Sequence, residues 1–330
     1  MRVTFSLFPW DVDGDPNAAA WLAEHEVTDV ALAATYHAAR AATPRHPAHQ
    51  IVHLDHSASY LDGPAPLPRG RFSFERARDD LTVAGVRVSA WVVLSHLEGA
   101  RRDIPRVIDA FGTESRHALC VRSPEALEFA VETVRSVARA GCDRLIVEGA
   151  SWSNLGHASL HDKIAAADLN TRALSWCLCQ RCASAADVDP GRVRAALHRR
   201  EPVPADAAER VRLARRDAAD GLRAHVLHTA RASGIADVLF HPDPDEPSPH
   251  GRTLVDAWHD TSAAVAQFRD STADAAYVNI LNDPAPSAID LGTRWSALRA
   301  AGANELLVYH AGLASTSRLD AALTAMKGIS

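Results

Sequence analysis

Thr253-Leu254-Val255-Asp256-Ala257-Trp258 is the stretch on which the fold turns. Its β-branched and large apolar residues suit a strand, yet Asp256 interrupts them, and the same six residues also suit the opening of a helix. As a strand, the stretch completes a set of eight. The other seven short apolar runs cover residues 3–8, 29–34, 86–94, 144–147, 236–240, 275–281 and 305–309. Most are followed by segments of helical period, clearest at 124–140, 208–232, 287–301 and 317–327. Ser123-Pro124 offers a capping hydroxyl and a proline at the first helical position, while Gly141 and Gly234 stand where helices stop. Strand and helix in repetition imply parallel strands joined by right-handed crossovers. Eight units close into a (β/α)8 TIM barrel, whereas five or six would leave an open doubly wound sheet. No G-x-G-x-x-G or G-x-x-x-x-G-K-[ST] follows any strand, which counts against the open dinucleotide-binding form. If residues 253–258 open a helix instead, the barrel loses a stave.

The chain has 330 residues, 47% hydrophobic and 23% charged, with a formal net charge of −6. These values exclude disordered, collagen-like and disulfide-scaffold classes. The length admits two domains of ~150 residues or one barrel of ~250 or more; the strand count favours a single TIM-barrel domain over 1–330. Three long insertions, residues 38–75, 149–207 and 241–250, follow strands two, four and five. All lie on the C-terminal side of a strand, the face on which barrel enzymes build their sites. No apolar run reaches the ~18 residues of a membrane span, and the N-terminus lacks the apolar core of a signal peptide, so a cytoplasmic location without a membrane partner is expected. The 35 Lys and Arg are dispersed, which argues against nucleic acid. In the Arg-rich segment 210–223 the arginines alternate with Val211, Ala214, Ala218 and Leu222, as the solvated side of an amphipathic helix would.

The five cysteines are not scattered. Cys177-Leu178-Cys179-Gln180-Arg181-Cys182 is a C-x-C-x-x-C cluster whose spacing lets three thiolates converge on a tetrahedral ion. Cys120, in a loop before the helix at 124–140, is the candidate fourth ligand; Cys142 opens a buried strand as a small core residue. A closed four-sulfur zinc site would be structural, the alternatives being reduced thiols without metal or an oxidised pair.

The segment Ala118-Leu119-Cys120-Val121-Arg122-Ser123-Pro124, a helix, a strand ending Val147-Glu148-Gly149 and then the cysteine cluster resembles the family 42 β-galactosidases and related glycoside hydrolase barrels. The likeness spans residues 115–185; over its whole length the chain resembles alanine-rich actinobacterial proteins. The resemblance implies that Cys120, Cys177, Cys179 and Cys182 hold a structural Zn2+ and that Glu148 stands in the place of the acid/base. It also brings a family-like homo-oligomer, a trimer, as an expectation. Two departures stand out. Val147 occupies the position of the family's Asn, and the family's second Glu, at the end of strand seven, is missing from Tyr277-Val278-Asn279-Ile280-Leu281-Asn282-Asp283.

The strand ends, taken without the family, give a set of polar residues that converge if the barrel closes: Asp11, His37, His96, Glu148, His241, Asp243, His259, Asn282, Asp283 and His310. Trp10, Trp152 and Trp258 lie beside the same ends, as sugar-stacking faces or as rim packing. Glu148 ends an apolar strand, where desolvation raises a carboxyl toward the pKa of a general acid; a structural ion pair with an arginine is the competing role. Glycosidic cleavage takes two carboxyl groups, and Asp243 and Asp283 are the candidate partners. The expected activity is glycoside hydrolysis of a small carbohydrate substrate. The alternatives are a His/Asp metal-dependent hydrolase or isomerase, prompted by 17 histidines, and a non-catalytic sugar-binding barrel. His46, His49, His53 and His56 would share a helical face, against which Pro44 and Pro47 argue.

Overall fold

The computed structural model describes residues 1–152, 169–242, 250–258 and 261–329. Eight parallel strands close into a barrel: β1 (Arg2–Leu7), β2 (Asp29–Ala33), β3 (Arg87–Val93), β4 (Arg144–Glu148), β5 (Asp237–Phe240), β6 (Arg252–Ala257), β7 (Ala275–Asn279) and β8 (Glu305–Tyr309). Neighbours follow chain order all round, and β8 returns to β1 with Glu305 opposite Arg2. Strands covered on both faces can be apolar almost throughout, and every residue of β2 and β8 is buried. The doubtful stretch is a stave after all, paired in parallel with both β5 and β7. Leu254, Val255 and Ala257 of β6 are buried, while Asp256 alone among these four is exposed.

The helices are α1 (Ala18–Glu24), α2 (Phe74–Val83), α3 (Pro124–Arg139), α4 (Thr171–Leu174), α5 (Gln180–Ala186), α6 (Pro190–His198), α7 (Ala205–Ala232), α8 (Thr261–Arg269), α9 (Ala288–Ala300) and α10 (Thr316–Ile329). Ser123 caps α3 by accepting from the Ala126 N–H at 3.0 Å, as its place before Pro124 predicts. Ser287 and Asp290 form a capping box at α9. Among the described residues no helix joins β5 to β6, and none is long and apolar enough to cross a membrane.

The floor of the barrel, where the strands begin, is an ionic lattice with Arg144 and Glu305 at its buried centre and Arg252 and Asp237 half-buried around them. Arg144 donates to both Glu305 oxygens at 2.6 and 2.7 Å and to Asp237 at 2.7 Å; Arg252 reaches Asp237 at 2.8 Å, and Thr4 donates to Glu305 at 2.9 Å. Each charge has partners, which is the condition for tolerating it out of water. Any opening therefore lies at the other end.

Two local expectations need correction, and the doubt about a histidine-bearing helix is borne out. After β2, Ala39–Ala42 pairs antiparallel with Ile51–Leu54, so His46 and His49 stack in the intervening turn and His53 lies on a strand; the prolines preclude the shared helical face. A fourth excursion follows β3, where Arg106–Ile108 pairs antiparallel with Glu114–Leu119. Finally, segment 210–223 is not solvated throughout: Arg216 is exposed, but Arg215 and Arg223 of α7 are buried. The insertion after β4 carries its own small core, in which Trp176, Leu178, Val188 and Val193 pack with Val211 of α7.

Candidate active site

A cavity of about 570 Å³ opens at the C-terminal ends of the strands. Glu148 closes β4, Asp256 stands near the end of β6, Tyr277 lies within β7 and Tyr309 closes β8; all four line it. Tyr36, His37, His96, Trp152, His241, Trp258 and His310 add walls of aromatic and imidazole rings.

Glu148 is held from one side. Its Oε2 accepts from the Trp91 Nε1–H at 3.0 Å and from the Tyr309 hydroxyl at 2.9 Å, and protein surrounds it except toward the cavity. Burial pushes its carboxyl up to about 7, against the lowering effect of those two donors. The carboxyl therefore holds its proton into the neutral range, the condition a general acid needs. Gly149 follows at φ +69°, and a Cβ there would meet Ser95 Oγ at 3.0 Å, so the chain leaves the strand by a turn suited to glycine.

Across the mouth, Tyr277 is hydrogen-bonded to Asp256, and burial first, then that carboxyl, pushes the Tyr277 hydroxyl well above its ordinary pKa. Asp256 Oδ1 also accepts from the Trp258 backbone N–H at 2.9 Å. His241 is driven down to about 3, chiefly by burial and further by Arg223, so its ring is neutral near pH 7. Two buried arginines of α7 brace the walls. Arg223 donates to the His241 carbonyl at 3.1 Å and lies over Phe240; Arg215 lies 5.3 Å over Trp152 and donates to the Ser175 carbonyl at 3.2 Å. His310 has φ +54°, a costly conformation for a side-chain-bearing residue, and begins the turn after β8.

Glu148, His37, His96, Trp152, His241, Trp258 and His310 are thus gathered at one mouth. Trp10 is not. The 3-10 turn Pro9–Asp11 folds its indole into the core, stacked on Phe8 at 4.3 Å and edge-on to Tyr60 at 5.5 Å. Asp11 lines a separate cavity of about 350 Å³ with Trp21 and Arg45, its carboxyl pushed up to about 7 by burial. Asp283 points away, its side chain 97% exposed. Asn282 braces the rim without lining the cavity, accepting from Asn279 at 2.7 Å and donating to the Trp258 carbonyl at 3.4 Å. Asp243 and His259 lie outside the described residues. The residues missed from sequence are Asp256, Trp91, Tyr36, Tyr277 and Tyr309; the acidic interruption of an apolar strand was the one usable signal.

Away from the mouth, the sulfurs of Cys120, Cys177, Cys179 and Cys182 all lie within 4.8 Å of one another. Cys120 Sγ is 3.5 Å from Cys182 Sγ and 4.0 Å from Cys179 Sγ. Four thiolates at ~2.3 Å from one ion sit ~3.8 Å apart, so the set fits a tetrahedral metal. Cys142 stands apart in the barrel core.

No family model matches the chain, and no curated protein matches it in sequence. Solved structures match it in fold. A GH20 exo-β-N-acetylglucosaminidase from Vibrio harveyi aligns with 98% of this chain and 53% of its own, at 9% identity and a TM-score of 0.52. A β-N-acetylhexosaminidase from Bacteroides fragilis aligns with 98% of this chain and 65% of its own, at 9% identity and a TM-score of 0.50. An L-ribulose 3-epimerase covers 99% of this chain and 93% of its own, at 12% identity and a TM-score of 0.44. The chain spans about half the length of the Vibrio enzyme. At such identities the likeness is one of fold, and the site must speak for the chemistry.

Proposed function

We propose that this protein is a glycoside-hydrolase-like enzyme in which Glu148 donates the proton to the leaving glycosidic oxygen and Asp256 supplies the second carboxyl group. The observation that carries this reading is Glu148 itself, a strand-end carboxyl pushed up to about 7 by burial and open only toward a ring-lined cavity. A carboxyl in this state gives up a proton at neutral pH without needing acid solution. Asp256, which lines the cavity while Asp283 faces solvent, supplies the second carboxyl group, acting on the anomeric carbon as nucleophile or on a water as base. Tyr277, bonded to Asp256, fixes the direction of that carboxyl. Trp152 and Trp258 give apolar faces suited to sugar rings, and His241, neutral at pH 7, offers hydrogen bonds without a competing charge. The resemblance of residues 115–185 to family 42 supports the same assignment of Glu148.

The four-cysteine cluster would hold Zn2+, which in a closed thiolate set supplies structural cross-linking and no open position for substrate. Its thiols are well separated from Glu148 in role: they tie the Cys120 loop to the insertion after β4. A panel of aryl glycosides tests the proposal. On any substrate turned over by the wild-type chain Asp256→Asn should lower kcat by at least ~100-fold, and Glu148→Gln should do so on those with poor leaving groups. For aryl glycosides with good leaving groups the Glu148→Gln loss will shrink as leaving-group acidity rises. Turnover unaltered by either substitution would sink the assignment.

A further inference from the structure

His37 and His96 line the same cavity and Glu98 lies beside them, yet glycosidic cleavage by two carboxyl groups does not need the three as a set. One ligand atom from each, two imidazole nitrogens and a carboxylate oxygen, falls within 4.8 Å of the others. The rings of His37 and His96 are stacked face to face, their centroids 4.2 Å apart and their planes 6° from parallel. The backbone behind each residue is fixed by a neighbour. His37 follows Tyr36, which pairs with Ala58; His96 bridges Ala118; and Glu98 exchanges hydrogen bonds with Ser57, its N–H donating to Ser57 Oγ at 2.8 Å and its carbonyl accepting from the Ser57 N–H at 2.7 Å. His37 Nδ1 lies 2.8 Å from the Ala38 carbonyl, a contact that places the proton on Nδ1 and leaves Nε2 as the basic nitrogen. A carbonyl in that position is the usual outer partner of a metal-bound imidazole.

We propose that His37, His96 and Glu98 form a second metal site, for a divalent first-row transition ion, distinct from the cysteine cluster. The donor set is two nitrogens and one hard oxygen, which suits such an ion and differs from the all-sulfur set elsewhere in the chain. Adjacent ligands on one ion at ~2.1 Å stand ~3 Å apart, and stacked rings aim their nitrogens along parallel planes, so binding requires one imidazole to rotate out of the stack while the backbone stays fixed. All three residues are only half-buried, and both histidines line the cavity. Three protein ligands leave positions for the hydroxyl or carboxylate oxygens of a molecule bound against Glu148. Metal binding at this rim is independent of the reaction assigned to Glu148, and its readout is spectroscopic.

The test is Co2+ titration of the full-length chain after removal of metals, followed by visible absorption. Ions at the cysteine cluster carry a strong sulfur-to-cobalt charge-transfer band; ions at the rim carry only weak d–d bands. The wild-type chain should take up one equivalent of cobalt that is silent in the charge-transfer region. In His37→Gln and in Glu98→Gln, this equivalent should bind at least tenfold more weakly, with the sulfur band and the melting temperature retained. Absence of a silent equivalent from the wild-type chain, or its unaltered binding in both variants, would overturn the proposal.

Discussion

Replacing Glu148 by Gln should stabilise the protein, and the size of the gain follows from its surroundings. The Gln carbonyl oxygen retains the place of Oε2 and can accept from both Trp91 and Tyr309, while the charge disappears. In the folded chain the Glu148 carboxyl titrates at about 7, against 4.5 for an ordinary glutamate. Between these values the folded state keeps a proton that the unfolded state has released, so stability falls as pH rises. The fall is absent below pH 4.5, complete above pH 7, and worth about 1.36 kcal/mol for each pH unit between, or about 3 kcal/mol in all. Glu148→Gln removes this contribution. The variant should therefore match the wild type near pH 4.5 and exceed it by about 3 kcal/mol at pH 8. Asp11 also titrates at about 7, but it is common to both proteins and cancels in the difference. Urea unfolding followed by tryptophan fluorescence at pH 4.5, 6 and 8 measures the effect. A stability difference that does not grow with pH would refute the burial argument, and with it the account of Glu148 as an acid held protonated for use.

The floor lattice and the cysteine cluster give two further expectations. Glu305→Gln leaves buried Arg144 with Asp237 as its one anionic partner and should cost about 3–5 kcal/mol, read from urea midpoints, without altering the pH dependence attributed to Glu148. A loss below 1 kcal/mol would mean that the lattice is not what holds the strand starts. Cys182→Ser removes one of four converging sulfurs; the chain should bind less Zn2+ by elemental analysis and its insertion after β4 should become sensitive to protease. Equal zinc content in the two proteins would exclude Cys182 as a ligand.

The barrel could be read from the chain because strands covered on both faces leave a compositional mark. The apolar runs end within a residue or two of the observed strands, and the run at 305–309 coincides with β8. Glu148 was legible for the same reason, as a charge set directly behind a buried run. Its partners were not. Trp91 and Tyr309 are ordinary strand residues by composition, and only the closed register turns both toward one carboxyl. Asp283 looked close to the end of β7 in sequence, but the bonds among Asn279, Asn282 and Trp258 turn the chain so that Asp283 faces solvent. Asp256 carried its information in plain view. An acidic residue that spoils an apolar strand has a location only if the strand ends at an opening, and without the barrel that opening had no address. The same blindness applies to Arg215 and Arg223, whose helical period said which face they shared and nothing of what covered it.

Those two arginines make α7 a ruler. They are eight residues apart, which on an α-helix is ~12 Å along the axis and about 80° around it. One grips the wall that carries Trp152, the other the wall that carries His241, and the two walls issue from adjacent staves. The width of the mouth is thus copied from the pitch of a helix outside the barrel. Arg215 also holds Ser175, two residues before the first cysteine of the cluster, so the metal-fit insertion and the cavity wall hang from one side chain. A deletion of one residue between Arg215 and Arg223 would turn one grip by ~100° relative to the other and misalign the mouth without touching any residue that lines it.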